Sequence, residues 1–546
     1  MAAPFSGAGR KHKRWSRAAV VDAVLNGDTL IVYRDYLLRI TDNWLDAHPG
    51  GNLALLHFVG RDATDEIEAY HSDKTLSLIS RYAVGTVQNT LDDPWVPLVP
   101  PIMAGWIRRK GPDAKAYWHR EAAEQRSAVN TKESPSSQIL LVPKGTEPEV
   151  EKLPSGPTAE ALSAPPATLE LQTQARLSKA YRELHKRVTD AGLYDTPYLT
   201  GYGPEVVRYT LLASVSAYAY SHNWFKTSAV LLGLFWHQLV FTAHDLGHMG
   251  VTHNWTVDRL ISIGIADFIG GLSIGWWVQN HNVHHIVTNH PSHDPDIEHI
   301  PFFAISTAFF SSLWSSYYKR VMKFDLFARF FISIQHKIFY IVMAFARFNL
   351  YANSYTYLYQ KAFDTKRARG GMWAWRLEVL GIVFFWSWFG RVLYGTGSWQ
   401  NAVIYLVISH VVTSPLHVQI VLSHFSMSTA DLGPTESFPH RQLRTTSDVI
   451  CPESIGFIHG GLQLQVTHHL FPRLPRHNLK KASVFVKEFA EQNGLRYNEF
   501  GFVDGNKDVI GVLRNVAEQV RIVGMVADAE VVEAVEKSVV AEGKEK

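Results

Sequence analysis

Residues 281–285 read His281-Asn282-Val283-His284-His285, and this stretch closely follows an apolar block at 260–278. Two similar stretches lie elsewhere, His244-Asp245-Leu246-Gly247-His248 and Gln465-Val466-Thr467-His468-His469. Helix positions i and i+4 lie on one face, so His244 and His248 can bind a single metal ion. One such group alone would be weak evidence, because histidines also serve structural and pH-sensing roles. Three groups, each beside an apolar block, predict a metal site built from imidazole.

The residue types favour iron over other metals. Neutral imidazole is a suitable ligand for iron, and a site without carboxylate or thiolate ligands differs from the ferritin-like di-iron carboxylate proteins. The only cysteine is Cys451, which excludes an intrachain disulfide framework and Cys-rich zinc or iron–sulfur sites. The formal net charge of +3 gives no reason to expect a nucleic-acid partner. An iron pair held in this way could activate dioxygen at a substrate C–H bond.

Long apolar blocks surround the histidine groups, and several approach the roughly 20 residues that a helix needs to cross a bilayer. They cover residues 209–220, 229–242, 260–278, 327–348, 377–394 and 402–422. Short connections at 221–227 and 395–401 predict that the first two and the last two blocks form helical hairpins, which gives about four transmembrane helices. The other two blocks are interrupted by Gly, Asp or Arg, and we expect them on or partly in the membrane surface. Six helices in a large soluble core are the alternative.

The connection between the two hairpins is basic, whereas residues 395–401 carry no charge. Its cations are Lys319, Arg320, Lys323, Lys361, Lys366, Arg367 and Arg369. Basic connections stay in the cytosol, so we expect the histidine groups to face that side. The basic segment 1–17 has no long apolar core and is not typical of a secretory signal. The first domain should therefore also lie in the cytosol.

A second motif lies near the N-terminus, where Asp46-Ala47-His48-Pro49-Gly50-Gly51 places a histidine on a sharp turn. Proline fixes one dihedral there, and the glycines let the backbone approach a flat ligand. His71 follows in the same unit. Two neutral imidazoles can saturate a haem iron, which favours electron transfer over oxygen chemistry. The expected apolar walls of this crevice are Leu45, Leu53, Leu56, Phe58, Ile67, Leu76 and Ile79.

This unit resembles cytochrome b5 over nearly its whole length. The matching motifs are His48-Pro49-Gly50-Gly51, Gly60-Arg61-Asp62-Ala63-Thr64 and Tyr70-His71-Ser72. The resemblance implies that the cofactor is haem b and that His48 and His71 are its axial ligands. His57, also in the unit, is expected on the distal or solvent side of the haem.

The region from 207 to about 478 resembles the membrane fatty-acyl desaturase and hydroxylase superfamily, which implies two non-haem iron ions in the catalytic site. By this resemblance the iron ligands are His244, His248, His281, His284, His285, His468 and His469. A further ligand is expected on the last crossing, where His424 in Leu422-Ser423-His424-Phe425 is the candidate and His417 the reserve. Gln465, in place of the first histidine of the third group, is typical of "front-end" desaturases, which often carry a cytochrome b5 domain. Its amide either ligates iron or orients a neighbour.

Other polar residues follow the second histidine group. We expect Asp294 and Asp296 to hydrogen-bond the metal-binding histidines. The remaining ones, His290, His293, Glu298 and His299, are typical of a solvated cytosolic loop. Trp276 and Trp277 are expected to anchor the membrane interface rather than to line an acyl channel.

These motifs predict a multidomain chain. Its parts are a small α+β cytochrome b5-like haem domain at 18–95, a disordered linker at 120–166, an all-α integral-membrane desaturase domain at 200–480 and a cytosolic C-terminal region at 481–546. The linker is rich in Ser, Pro, Glu, Gln and Thr, which suits a solvated segment. The membrane domain is expected to carry a cytosolic histidine-rich cap.

Residues 282–303 and the third histidine group look most like the fungal sphingolipid Δ8-desaturases, which introduce a double bond into the long-chain base of ceramide. The implied electron source is NADH acting through a separate cytochrome b5 reductase, and the implied location is the endoplasmic reticulum. The nearest alternative is an acyl-lipid front-end desaturase acting at Δ5 or Δ6. A lipid hydroxylase is a further alternative, although Gln465 counts against it. A non-catalytic haem-bearing electron carrier or membrane scaffold represents a different class.

Overall fold

The structure is a computed structural model that describes residues 13–113, 115–120, 156–164, 169–364 and 367–542. The strands are β1 (Leu30–Tyr33), β2 (Tyr36–Arg39), β3 (Ala83–Thr86), β4 (Ile107–Lys110), β5 (Ala116–His119), β6 (Trp314–Ser315), β7 (Arg320–Val321), β8 (Asp448–Ile450) and β9 (Glu499–Gly501). The N-terminal helices are α1 (Arg17–Leu25), α2 (Asp42–Ala47), α3 (Leu53–Leu56), α4 (Thr64–Tyr70), α5 (Asp73–Ile79) and α6 (Leu171–Asp190). The central helices are α7 (Gly203–Ser221), α8 (Phe225–Gly247), α9 (Trp255–Ile263), α10 (Ile274–Ile286), α11 (Leu326–Ala344), α12 (Ala346–Ala362), α13 (Gly371–Tyr394), α14 (Trp399–Val411) and α15 (Ser414–Leu422). The C-terminal helices are α16 (Phe438–Thr445), α17 (Gly456–His459), α18 (Gln465–Leu470), α19 (Leu479–Gln492) and α20 (Phe502–Glu542).

The first unit is a small α+β domain, as predicted. Its antiparallel sheet has the order β1-β2-β3, with Leu30 opposite Arg39 in the first pair. All four residues of β1 are buried, because the apolar run Leu30–Tyr33 lies between α1 and the helices α2 to α5. Thr41 caps α2 by accepting a hydrogen bond from the Trp44 amide, and this places His48 directly after the helix.

Further residues pack onto the same core beyond the third strand. The Trp118 indole of the β4–β5 hairpin donates to the Val24 carbonyl at 2.6 Å. Leu162 is fully buried, and its carbonyl accepts from the Val99 amide at 2.9 Å. Leu162 falls inside the predicted linker, of which 121–155 and 165–166 lie outside the described residues. Residues 156–164 therefore lie against the haem domain.

The second unit is mainly helical, as predicted. Among the described residues, three stretches are long and apolar enough to cross a membrane: Leu326–Ala344, Gly371–Tyr394 and Trp399–Leu422. A fourth is possible if Trp255–Ile269 and Ile274–Ile286, which meet at 113°, form one broken span. The predicted second hairpin thus corresponds to α13 and α14–α15. Tyr394 and Trp399 are strongly exposed at its turn, where aromatic residues suit a membrane interface.

The predicted first hairpin is formed by α7 and α8, which pack along each other. Ser216 donates to the Ser228 carbonyl, and Tyr209 contacts Thr242. These helices are not among the stretches that pass the apolarity test, whereas Leu326–Ala344, expected at the membrane surface, does pass. In α7, Glu205 and Arg208 near the start of the helix lower its mean hydropathy, and both side chains bond to partners inside the protein.

The C-terminal elements form a cap over one end of the helices. Tyr181 of α6 donates to the Leu470 carbonyl of α18 and stacks on Phe471. Strands β8 and β9 pair in parallel. The long helix α20 packs along α11, where Gln335 donates to the Leu513 carbonyl at 2.8 Å. This cap brings three distant parts of the sequence to the ends of α8, α10 and α15.

Candidate metal centre and haem crevice

The first set of histidines comes from three helices. His244 and His248 lie at the end of α8, His281 lies on α10 and His468 on α18; one ring nitrogen from each lies within 4.8 Å of the others. The ring centroids of His244 and His468 are 4.6 Å apart. The i and i+4 spacing of the α8 pair places both rings on one face, as predicted. We call these four residues the first histidine group.

The second set contains His284, His424 and His469, whose nitrogens also lie within 4.8 Å of one another. All three are buried, and the rings of His284 and His424 are 4.6 Å apart. His424 therefore lies where the expected additional ligand should be. The reserve candidate His417 is buried on α15 and belongs to neither set among the described residues. We call these three residues the second histidine group.

His285 lies between the two groups and belongs to neither. Its Nε2 is 3.1 Å from the Nε2 of His281, and its ring centroid is 4.8 Å from that of His248 and 4.1 Å from that of His469. The structure thus brings all eight predicted histidines together. Gln465 is buried at the start of α18, one turn before His468.

The donor atoms fit a pair of metal ions. Buried ring nitrogens with no hydrogen-bond partner among the described residues include His248 Nε2, His285 Nδ1, His468 Nε2 and His469 Nε2. A buried unsatisfied polar atom costs about 1–3 kcal/mol, so four in one place call for a bound group. Burial also holds the pKa of His468 and His469 well below the usual range. Both rings are therefore neutral, which is the form that binds metal.

Carboxylates orient the histidines of α10. His284 donates through Nδ1 to Asp294 at 2.9 Å, and His281 Nδ1 lies 3.5 Å from Asp296. Both contacts were expected from the sequence, and each leaves Nε2 of the imidazole for a metal. The prediction of a solvated loop is wrong for His293 and Glu298, which are buried among partners of their own. His293 contacts Ser316, Glu298 accepts from Ser315, and His290 approaches Asp431.

The Asp294→Asn variant should bind non-haem iron 10- to 100-fold more weakly, the typical cost of losing an outer hydrogen-bond partner of a metal ligand. Asp294 is fully buried and also accepts from the Asn289 amide at 2.7 Å, so an amide of the same size keeps the packing but presents the wrong atom to one donor. Iron per chain would be measured after dialysis against a chelator. Asp431→Asn is the matched control. The Asp431 side chain is half exposed and lies near His290, which is not among the predicted iron ligands. Equal iron retention in the two variants would contradict the orienting role.

Two further residues of this centre escaped the sequence argument. Gln442 accepts from His469 Nδ1 at 3.0 Å and donates to the His285 carbonyl at 2.8 Å. Arg476 is buried and donates to Asp245, the neighbour of His244, at 2.7 Å. A single Gln or Arg outside the histidine motifs has no surrounding sequence pattern that would identify it as part of a metal site. Their roles depend on α16 and the α18–α19 turn meeting the ends of α8 and α10.

The haem crevice has the features expected of a site with two axial imidazoles. The ring centroids of His48 and His71 are 6.1 Å apart. Metal–imidazole bonds of about 2 Å on each side would separate the two centroids by about 6 Å. Each Nδ1 is hydrogen-bonded to a carbonyl, that of Gly51 for His48 and that of Ile67 for His71, which leaves Nε2 of both rings for iron. Burial lowers the pKa of both histidines to about 4, so they are neutral.

The walls of the crevice differ in part from the prediction. Phe58 and Ile67 line it, together with Trp44 and Leu55. The other predicted wall residues lie outside the cavity lining, and four of them belong to the core behind it: Leu45, Leu56, Leu76 and Ile79. His57 lies away from the crevice, with its ring 5.5 Å from that of His293. The short helices α3 and α5 turn Leu56, Leu76 and Ile79 towards the core of the domain instead of the crevice. The sequence pattern did not show this orientation.

One wall of the crevice comes from the helical unit. His248 of the first histidine group lines the same cavity as His48 and His71, and so do Asn282 and Ile286 of α10. Tyr70, which precedes His71, has its ring 6.4 Å from that of His285. The haem crevice and the histidine groups therefore lie side by side, which suits electron transfer between them.

Comparison with known proteins agrees with the two domains and with their cofactors. The model of the family "Fatty acid desaturase" matches residues 221–501, and that of the "Cytochrome b5-like Heme/Steroid binding domain" matches residues 16–88. A "Delta 8-(E)-sphingolipid desaturase" of Emericella nidulans is 45% identical, with 93% of this chain and 95% of the relative covered. Proteins of the same description from Komagataella phaffii and Candida albicans are 43% and 38% identical, covering 93% and 94% of this chain and 94% and 97% of the relatives. Apolar helices, histidine groups and haem crevice thus belong together: the chain is an integral-membrane oxidoreductase of the fatty acid desaturase family with a fused cytochrome b5-like haem domain.

Proposed function

We propose that this chain is a sphingolipid Δ8-desaturase that introduces an E double bond into the long-chain base of ceramide. The observation that carries this proposal is the similarity to the Δ8-(E)-sphingolipid desaturases, which extends over both domains and more than nine-tenths of the chain. The eight clustered histidines beside a haem crevice supply the chemistry that such a reaction needs. The overall change removes two hydrogen atoms from adjacent carbons of the lipid, and dioxygen is reduced to water with the help of two external electrons.

We further propose that the first histidine group binds one iron ion and the second group binds the other. His285 lies between the two groups and would supply a further ligand to one of the two ions. Gln465 lies one helical turn before His468, where its amide either ligates iron or orients a neighbouring ring. When bound, the iron pair supplies the activation of dioxygen at an otherwise unreactive C–H bond. Asp294, Asp296 and Gln442 keep Nδ1 of their histidine partners engaged, so that Nε2 points to the metal.

We infer that a separate NADH–cytochrome b5 reductase reduces the haem. His48 and His71 would hold the haem iron through their two imidazoles and would leave it no open position, which suits electron transfer to the neighbouring histidine groups. NADH alone should leave the haem absorption bands of the purified chain unchanged, and adding the purified reductase should shift them to the reduced form. Reduction by NADH without the reductase would contradict this route.

We propose that the chain lies in the endoplasmic reticulum membrane with both metal sites facing the cytosol. The basic connection between the two predicted hairpins and the uncharged turn at 395–401 support this orientation, and the wall that the two sites share supports their lying on the same side. Cys451 is the only cysteine and lies in the cap after β8, so it reports the topology. A membrane-impermeant maleimide should label it in sealed microsomes. A Cys451→Ser chain with Gln400→Cys, exposed near the opposite turn, should react only after the membrane is permeabilised.

Mass spectrometry of the lipids of a yeast without Δ8-desaturase activity tests the substrate. Expression of the chain should give ceramide long-chain bases that have lost two hydrogens, and the same chain with His284→Ala should give none. New unsaturation in acyl chains alone would assign the chain to the Δ5 or Δ6 front-end desaturases instead. A chain that alters no lipid and binds haem iron but no non-haem iron would be an electron carrier.

A further inference from the structure

The turn that carries His48 is held by the desaturase domain. The Arg369 amide donates to the Ala47 carbonyl at 3.0 Å, directly before His48. A Cβ atom on Gly50 would lie 3.2 Å from Asn282 Nδ2 and 3.2 Å from the His48 ring. Gly51 has a φ of +84°, which favours glycine, and its backbone faces Gln279 of α10. The two glycines of the haem motif therefore also allow the two domains to meet.

The charges around the crevice are distributed unevenly between the domains. Among the described residues that line it, the only arginines or lysines are Arg259 and Arg369, and both belong to the desaturase domain. The only acidic side chain in the lining is Glu66 of the haem domain, whose pKa is raised to about 8 by burial. His48 and His71 are neutral, as shown above. The desaturase side of the cavity is thus its positive side.

The two arginines have unused hydrogen-bonding capacity. Arg259 donates to Glu378 at 2.6 Å through one terminal nitrogen, but its Nε is buried without a partner among the described residues. The Arg369 guanidinium stacks on Trp255, 4.7 Å from the ring centroid, and no carboxylate of the described residues pairs with it. Stacking on an aromatic face leaves the edge of a guanidinium, with its N–H groups, available for an anion. Among the described residues Arg369 therefore has no anionic partner, and Arg259 has one free donor beside its pair with Glu378.

We propose that Arg369, together with the free Nε of Arg259, binds the carboxylate groups of the haem, so that the haem site is completed by the desaturase domain. Haem b carries two propionate carboxylates at one edge of a flat apolar ring. Arginine recognises carboxylates through paired N–H donors, and such charged hydrogen bonds are stronger than neutral ones. This arrangement would bring the carboxylate groups of the haem to residues of the desaturase domain. It also means that bound haem stabilises the docked state of the two domains, because it contacts both.

The test compares haem with its dimethyl ester, which has no free carboxylates. The full-length chain would be purified in detergent, loaded with either pigment, and mixed with excess apomyoglobin to follow haem loss by absorbance. The native chain should lose the ester faster than haem. Arg369→Gln should lose haem about 10-fold faster than the native chain, which is typical for one hydrogen bond to a charged group. It should lose the ester at the native rate.

Arg367→Gln is the matched control, because it removes the same charge two residues away. Arg367 donates to the carbonyls of Lys361 and Ala362 and does not line the cavity. It should leave the loss of haem unchanged. Equal acceleration by Arg369→Gln of the loss of haem and of the loss of the ester would overturn the proposal, as would equal effects of Arg369→Gln and Arg367→Gln on the loss of haem. So would equal loss of haem and ester from the native chain, a comparison that needs no variant to fold.

Discussion

The His284→Ala variant is expected to lose desaturation completely while keeping its haem. His284 is almost fully buried, belongs to the second histidine group, and is held in place by Asp294. Removing the ring leaves only His424 and His469 in that group. The loss of activity should exceed the 10- to 100-fold that follows loss of an outer hydrogen-bond partner, because the ligand itself is gone. Lipid analysis would measure activity, and a chelator assay would count non-haem iron, which should fall by one ion per chain.

His417→Ala is the control for this prediction. This variant also removes a buried imidazole. His417 lies on α15, seven residues before His424, and it belongs to neither histidine group. We expect it to keep both non-haem iron ions. The ligand assignment would be wrong if His284→Ala kept both iron ions, or if His417→Ala lost one.

The Arg476→Met variant is expected to destabilise the fold by about 3–5 kcal/mol, the usual result of removing one partner from a buried ion pair. Arg476 bonds to Asp245 and to Glu205, and all three side chains are 10% exposed or less. Without the guanidinium, the buried carboxylates of Asp245 in α8 and Glu205 in α7 both lose their cationic partner. The unfolding temperature in detergent would be measured, together with non-haem iron, because Asp245 lies between the two histidines of α8.

Arg187→Met is the matched control. Arg187 pairs with Glu488 in the same cap, but both side chains are 45% exposed, and exposed pairs contribute about 0–1 kcal/mol. Its unfolding temperature should stay close to that of the native chain. Adding Glu205→Gln to Arg476→Met should recover part of the lost stability, because one of the unpaired charges is then neutral. Similar unfolding temperatures for Arg476→Met and Arg187→Met would show that the buried pair does not hold α8.

The fold class and the family could be predicted from the sequence because their signals are local. His244 and His248 need only one helical turn to share a face, and the His48-Pro49-Gly50-Gly51 turn needs only its own backbone preferences. Helix assignment in the membrane domain was less complete. The length and apolarity of Leu326–Ala344 place it among the candidate spans, although the arginine at its start suggested a surface helix. Composition alone does not show which charged residues find partners inside the protein.

The sequence by itself therefore determined the residue types that could bind haem and iron, and the two-domain organisation that joins them. Only the tertiary structure decided which histidines lie together in the first and second histidine groups, that His285 lies between the groups, and that Gln442 and Arg476 contact residues of this centre. It also decided that His248 and Arg369 line the haem crevice. The physical reason is that these contacts join residues far apart in the chain. They form when packing of the cap and docking of the two domains exclude water, and no local pattern of residues encodes that packing.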